Sequence, residues 1–183
     1  MRSGLKLFLD LDGVLASFEG RVRELIHLSK KESGLLMDEA EKDDSIDKRL
    51  MWKVIHRYDE HTPFFYTLDK MPDADELFDF VLEHFDHDDI GILTASGHTP
   101  SDAPQQKKRW VRKHFGDYHV EVVAKSPDKA AFATPTTILI DDRAKSLDPW
   151  IAAGGIGILH TDAKSTIKQL QELLKLDVVF AEA

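Results

Sequence analysis

The chain has 183 residues, 42% of them hydrophobic, a formal net charge of −9 and no cysteine. That apolar fraction argues against disorder and suits one core domain with a modest insertion. The acidity argues against extended nucleic-acid binding or an anionic membrane surface, and the lack of cysteine excludes disulfides, thiolate zinc sites and cysteine nucleophiles. A small anionic ligand is still compatible, because a metal ion can reverse the sign of one pocket. No apolar run approaches the ~20 residues needed to span a bilayer. Residues 1–12 run directly into a strand pattern without a signal-peptide cleavage site, so a soluble, cytoplasmic protein is expected.

The first apolar run, Leu5–Leu9, predicts a buried strand that ends at Asp10. The segment 16–71 then breaks the pattern. Phe18, Val22, Leu25, Ile26 and Leu28 suggest one helix, and Trp52, Val54 and Ile55 another. Between them, 38–49 holds six acidic and three basic residues, most simply a solvated helical surface. The whole stretch is expected to be a small helical cap, 16–71, inserted into a core made of 1–15 and 72–183.

Beyond the insertion, Asp73–Phe85 places Ala74, Leu77, Phe78, Val81, Leu82 and Phe85 on one face of an amphipathic helix. Pro72 and Asp73 suit its start. A strand follows at Ile90–Leu93, then a helix at Gln105–His114 and a strand at Val120–Val123. Ser126-Pro127-Asp128 reads as an N-cap that opens a short helix near Lys129–Phe132. Next come a strand at Thr137–Ile140, a helix at Ser146–Ala153 stopped by Gly154-Gly155, a strand at Ile156–Leu159 and a helix at Thr166–Leu176. Strands alternating with helices predict an α/β fold, a parallel sheet covered on both faces. Such sheets bind ligands at the carboxyl ends of their strands.

Polar residues at those ends are therefore the candidates for chemistry. The first strand ends in Asp10-Leu11-Asp12-Gly13. Two carboxylates at a buried strand tip repel each other, and a hard cation such as Mg²⁺ is the natural compensation. Taken alone, this motif is as readily a polar turn as a site. The fourth strand ends in Asp141-Asp142-Arg143, where the acids could equally cap a helix and Arg143 could simply pair with one of them. Two acidic strand ends on one sheet edge, however, would offer three or four carboxylates to one metal. The second strand ends in Thr94-Ala95-Ser96-Gly97, a hydroxyl with small residues whose backbone N–H groups suit a phosphate oxygen. Candidate cations are Lys107 and Lys108, with Lys125 and Lys129 after the third strand. His84, His87 and His98 lack metal-ligand spacing, and Trp110 and Trp150 read as core.

Asp-x-Asp-Gly-Val, a strand-end Thr, a Lys and Ile-Asp-Asp, in that order, resemble the haloacid-dehalogenase-like (HAD) phosphatase superfamily over roughly 5–15 and 88–160. A narrower resemblance is to its 5′(3′)-deoxyribonucleotidase branch. It rests on Asp10–Gly20, Phe64-Phe65-Tyr66 before Leu68, Lys107 to Val111 leading to His114-Phe115-Gly116, and Leu139 to Arg143. The resemblance implies a Rossmann-like HAD core, a Mg²⁺ cofactor and an aspartyl-phosphate mechanism. Asp10 would be the nucleophile and Asp12 the acid/base, with Asp10, Asp12, Asp141 and Asp142 around the metal. Thr94, Ala95 and Lys107 would take the phosphate, and Phe18 would lie against the substrate. Apart from the resemblance, Trp52, Phe64, Phe65 and Tyr66 read first as packing between insertion and core, with Phe65 or Tyr66 the alternative lining of the substrate entrance. One departure stands out: the branch commonly has Thr-Ser where this chain has Thr94-Ala95.

The expected substrate is a small phosphate ester, with a nucleoside monophosphate favoured. Alternatives are a HAD phosphatase for another small ester or a nucleic-acid end, and a non-catalytic protein with a retained metal site. A signalling receiver uses similar residues but places its acidic pair first and its Lys last, against the order here. The sequence is compatible with a homodimer but does not set the oligomeric state.

Overall fold

The computed structural model describes residues 4–32, 48–97 and 100–181. The acidic stretch 38–47 and His98 lie outside the described residues. Five strands, β1 (Lys6–Leu9), β2 (Ile90–Ala95), β3 (His119–Val123), β4 (Thr137–Asp141) and β5 (Ile156–Leu159), form one parallel sheet in the order β3-β2-β1-β4-β5. The helices are α1 (Phe18–Glu32), α2 (Lys48–Asp59), α3 (Ala74–His84), α4 (Ala103–His114), α5 (Ala144–Ala152) and α6 (Ala163–Ala181). This is the expected α/β architecture. Among the described residues no helix is long and apolar enough to cross a membrane.

All five residues of β4 are buried, as are the first five of β2. That burial on both faces is why these strands read as continuous apolar runs instead of alternating ones. Leu7, Leu9, Ile92, Ile138 and Ile140 join α3, α4 and α6 in the main core, and each fully buried side chain of this size contributes ~1.5–3 kcal/mol. Trp110 and Trp150 are both in the core, as expected, and each satisfies its indole: Trp110 Nε1 donates to the Leu68 carbonyl (2.7 Å) and Trp150 Nε1 to that of Ile156 (3.0 Å).

Three local expectations need correction. Leu82 is exposed, not core, since it lies roughly 80° from Ala74 around the helix, at the margin of the apolar stripe. The short helix after β3 is a 3₁₀ helix, Ser126–Phe132, capped by Lys125 and not by Ser126. Lys125 N–H donates to Asp128 Oδ2 (2.9 Å) and the Lys125 carbonyl accepts from Asp128 N–H (2.9 Å). β2 extends to Ala95, two residues past its expected end, because Thr94 and Ala95 pair with Val122 and Val123.

The segment between β1 and α3 leaves and returns through one gate. Ala16 bridges Lys70 antiparallel, Ser17 N–H donates to the Asp69 carbonyl and Met71 N–H to that of Leu15. Between those strands of contact, α1 packs on α2. A 3₁₀ turn, Phe65–Thr67, lies against α4.

Candidate active site

Register places the two acidic strand ends side by side. Leu9 pairs with Ile140, so the next residues, Asp10 and Asp141, leave adjacent strands together, and Asp10 N–H donates to the Ile140 carbonyl (2.8 Å). After Asp10 the chain turns tightly: Gly13 N–H donates to the Ala16 carbonyl, and Leu15 and Ala16 N–H both reach that of Leu11. Gly13 adopts φ +86°, and a Cβ there would overlap the Asp142 carboxylate. Glycine thus serves twice, for the left-handed turn and for the close approach of Asp142.

Asp10, Asp141 and Asp142 each offer a carboxylate oxygen within 4.8 Å of the others. Lys129 closes this group. Its Nζ lies 2.8 Å from Asp10 Oδ1 and 2.6 Å from Asp141 Oδ2, with the ammonium buried. Asp10 Oδ1 also accepts from Leu11 N–H (2.8 Å), and Asp141 Oδ1 from Arg143 N–H (3.0 Å). Arg143 thus reaches the acidic pair through its backbone. Burial pulls the Lys129 pKa down, but Asp10 and Asp141 more than offset it and hold it above its ordinary value.

A second lysine serves the other half of the site. Lys107 is fully buried, and its Nζ donates to Asp12 Oδ2 (2.6 Å), Thr94 Oγ1 (3.0 Å) and the Ala95 carbonyl (3.1 Å). Its three N–H donors are thereby matched to three acceptors. Asp12 Oδ1 is buried with no partner. Burial raises the Asp12 pKa; Lys107 opposes the rise and Asp10 adds to it. Asp142 is exposed as a residue, yet its carboxyl is pushed up to about 7, first by local desolvation and then by the like charges of Asp10 and Asp141. Asp141 is also raised, by burial and Asp10, against the pull of Lys129.

Formally, four carboxylates face two ammonium groups here, an excess of two negative charges among hard oxygen donors. That donor set fits a divalent cation of the Mg²⁺ type. Among the described residues no histidine joins it: His84 Nδ1 bonds the Phe80 carbonyl (2.9 Å) and His87 packs on Tyr118.

The phosphate candidates come together in part. Thr94 is buried beside Lys107, and Ala95 contributes its carbonyl to the same ammonium. The N–H groups of Ser96 and Gly97, which the sequence offered for phosphate, are instead taken by the Val123 and Ala124 carbonyls (2.9 Å each). The β2–β3 ladder simply continues past the strand end. Among the aromatics, the Phe65 ring lies 4.7 Å from Lys107 Nζ and stacks on Phe18 (6.0 Å). Tyr66 is elsewhere, under Arg109 (4.4 Å) and Lys113 (5.3 Å) on the outer face of α4.

Sequence reasoning left two site residues unassigned. Lys129 is one of two candidate lysines after β3, and the signal that separates it from Lys125 is its place inside the Pro-led short helix Ser126–Phe132 that precedes β4. Gln106 carried no signal, because a glutamine within a basic helix reads as surface.

The comparisons with known proteins speak to family and fold. A family model described as "5′ nucleotidase, deoxy (Pyrimidine), cytosolic type C" matches residues 4–173. A mitochondrial 5′(3′)-deoxyribonucleotidase of Mus musculus is 28% identical over 153 residues, covering 76% of this chain and 64% of that protein. The Homo sapiens counterpart is 27% identical with coverage of 76% and 62%, so the chain spans under two thirds of either relative. Among solved structures, a haloacid dehalogenase-like hydrolase from Xanthomonas campestris superposes with TM-score 0.63 at 13% identity, covering 95% of this chain and 94% of that one. A HAD hydrolase from Bacillus subtilis bound to magnesium gives 0.58 at 12% identity, covering 92% and 97%. At such identities these two structures speak for the fold.

Proposed function

The chain belongs to the family of cytosolic type C deoxy (pyrimidine) 5′-nucleotidases, and from that premise we propose a Mg²⁺-dependent phosphomonoesterase that releases phosphate from (deoxy)nucleoside monophosphates. The observation that carries this reading is the convergence of Asp10, Asp12, Asp141 and Asp142 with Lys107, Lys129 and Thr94 at one sheet edge.

Asp10 is the proposed nucleophile. Two donors, Lys129 and Leu11 N–H, sit on its Oδ1, which orients the carboxylate and frees Oδ2 from those bonds. Attack on phosphorus forms an O–P bond to Asp10 as the ester oxygen departs. Asp12 gives that leaving oxygen a proton, and afterwards takes one from the water that hydrolyses the aspartyl-phosphate. Its raised proton affinity and unpartnered Oδ1 suit both halves of the role. Lys107 and Thr94 neutralise the phosphate oxygens, which requires Lys107 to share donors now given to Asp12. Asp10, Asp141 and Asp142, with Asp12, would hold the Mg²⁺. The ion supplies charge neutralisation at the phosphate oxygens.

Phe18 and Phe65 are the proposed substrate-lining aromatics, presented by the inserted segment 16–71 acting as a cap. The test is a panel of 5′- and 3′-monophosphates, deoxy and ribo, assayed for phosphate release with Mg²⁺ and after chelation. The reading expects nucleotide turnover that EDTA abolishes and Mg²⁺ restores. Equal turnover of sugar phosphates would contradict the nucleotide assignment, and full activity after chelation the metal.

A further inference from the structure

Gln106 precedes Lys107 on α4 and is as buried as the core around it. Its carboxamide joins three parts of the chain. Nε2 donates to Asp59 Oδ1 at the end of α2 (2.8 Å) and to Asp102 Oδ1 at the start of α4 (3.1 Å). Oε1 accepts from Phe65 N–H (2.8 Å). Asp59 Oδ1 in turn accepts from Phe64 N–H (2.8 Å). The orientation of the amide is chemically determined. A flip would set its oxygen against two carboxylates and its donors against a peptide N–H.

The turn pinned in this way carries Phe65. Its peptide is held by Gln106, and its ring faces the Lys107 ammonium at 4.7 Å. That ammonium has all three donors committed, to Asp12, Thr94 and Ala95. The ring is a fourth neighbour, attractive to a cation but with no directional demand. Any movement of the Phe65 backbone therefore alters what surrounds the ammonium without touching its hydrogen-bond partners.

We propose that Gln106 is a positioning residue for phosphate binding: with Asp59 it fixes the Phe64-Phe65 turn, and so keeps the Phe65 ring against the Lys107 ammonium that takes the phosphate. The inference rests on the reading of Lys107 as the phosphate-contacting lysine. It makes the joint between the inserted segment and the core part of the anion site. A purely structural Gln106 would instead support folding and leave anion affinity alone.

The experiment is a double-mutant cycle read on binding of inorganic phosphate, by calorimetry with Mg²⁺ present, alongside thermal unfolding. Gln106→Met should weaken phosphate about three- to tenfold, as should Phe65→Leu, and in the Phe65→Leu background Gln106→Met should add less than about twofold. Asp59→Ala, half-exposed and outside the catalytic cluster, should weaken phosphate in the same direction and keeps the test open where Gln106→Met does not fold. A lower melting temperature with unchanged phosphate affinity would overturn the proposal, and so would fully additive losses. Hydrolysis of p-nitrophenyl phosphate is measured in parallel. A wild type that binds phosphate without releasing any from the ester contradicts the catalytic reading, while the cycle still decides the role of Gln106.

Discussion

Lys129 and Asp10 form a buried ion pair, with Nζ 2.8 Å from Oδ1. The lysine is shared with Asp141 at 2.6 Å, so one ammonium keeps two carboxylates from adjacent strands together at the sheet edge. Breaking a buried pair by removing one partner costs ~3–5 kcal/mol, because it strands an uncompensated charge. Lys129→Met should therefore lower stability by about that amount in metal-free protein, measured by urea unfolding. Added Mg²⁺ should recover part of the loss, since the ion neutralises the same carboxylates. A variant as stable as wild type without metal would contradict this account of the edge.

Asp142 gives a pH dependence with a definite sign. Its carboxyl holds a proton up to about 7 in the fold, against 3.8 ordinarily. Between those values the folded chain binds more protons than the unfolded one, so this group's contribution to stability falls as pH rises through the window. Asp142→Asn should therefore stabilise the metal-free protein at pH 8 and be nearly neutral near pH 4. With Mg²⁺ at pH 8 the order should reverse, as the ion loses a ligand. Melting curves of both proteins at the two pH values, with and without Mg²⁺, check this.

Gly13→Ala tests the turn after β1. The new methyl meets the Asp142 carboxylate, at a backbone conformation that side chains rarely adopt. A strained residue of this kind costs of order 1–3 kcal/mol. The distinctive expectation is a weaker Mg²⁺ affinity by calorimetry, because Asp142 must move. Gly4→Ala, with φ +66° but open space around its Cβ, should leave Mg²⁺ affinity unchanged.

Thr94→Val removes one hydroxyl from the phosphate site while keeping its shape. By analogy with a lost oxyanion donor, kcat should fall about 10²–10³-fold, or ~2.7–4 kcal/mol. The Lys107 ammonium also loses one acceptor at 3.0 Å, so the effect should appear in phosphate affinity as well. Steady-state kinetics with the best monophosphate check it.

Much of this was legible in the sequence, and for physical reasons. Apolar runs that stop at acids, Leu9-Asp10 and Ile140-Asp141, put the carboxylates at or next to the carboxyl ends of β1 and β4. Parallel alternation then forces those tips onto one edge. Other features depend on tertiary context. Lys129 looks like any surface lysine until the 3₁₀ helix brings its ammonium between Asp10 and Asp141. Gln106 becomes a junction only because Asp59 and Phe65, distant in the chain, fold against it. The ladder past Ala95 consumes the Ser96 and Gly97 amides, and loop composition could not reveal that. Tyr66 differs from Phe65 by one position, yet a tight turn sends it to the opposite face of α4.

The central claim is that Asp10 takes the phosphoryl group. With p-nitrophenyl phosphate the leaving group needs little protonation, so Asp12→Asn should still be phosphorylated but be slow to hydrolyse. The direct measurement is acid quenching of that variant after a single turnover, with Mg²⁺ present, followed by peptide mass spectrometry. The account predicts a phosphoryl group on Asp10, absent from the Asp10→Asn protein, which should be folded and inactive. A phosphorylated residue elsewhere, or near-wild-type turnover by Asp10→Asn, would contradict it.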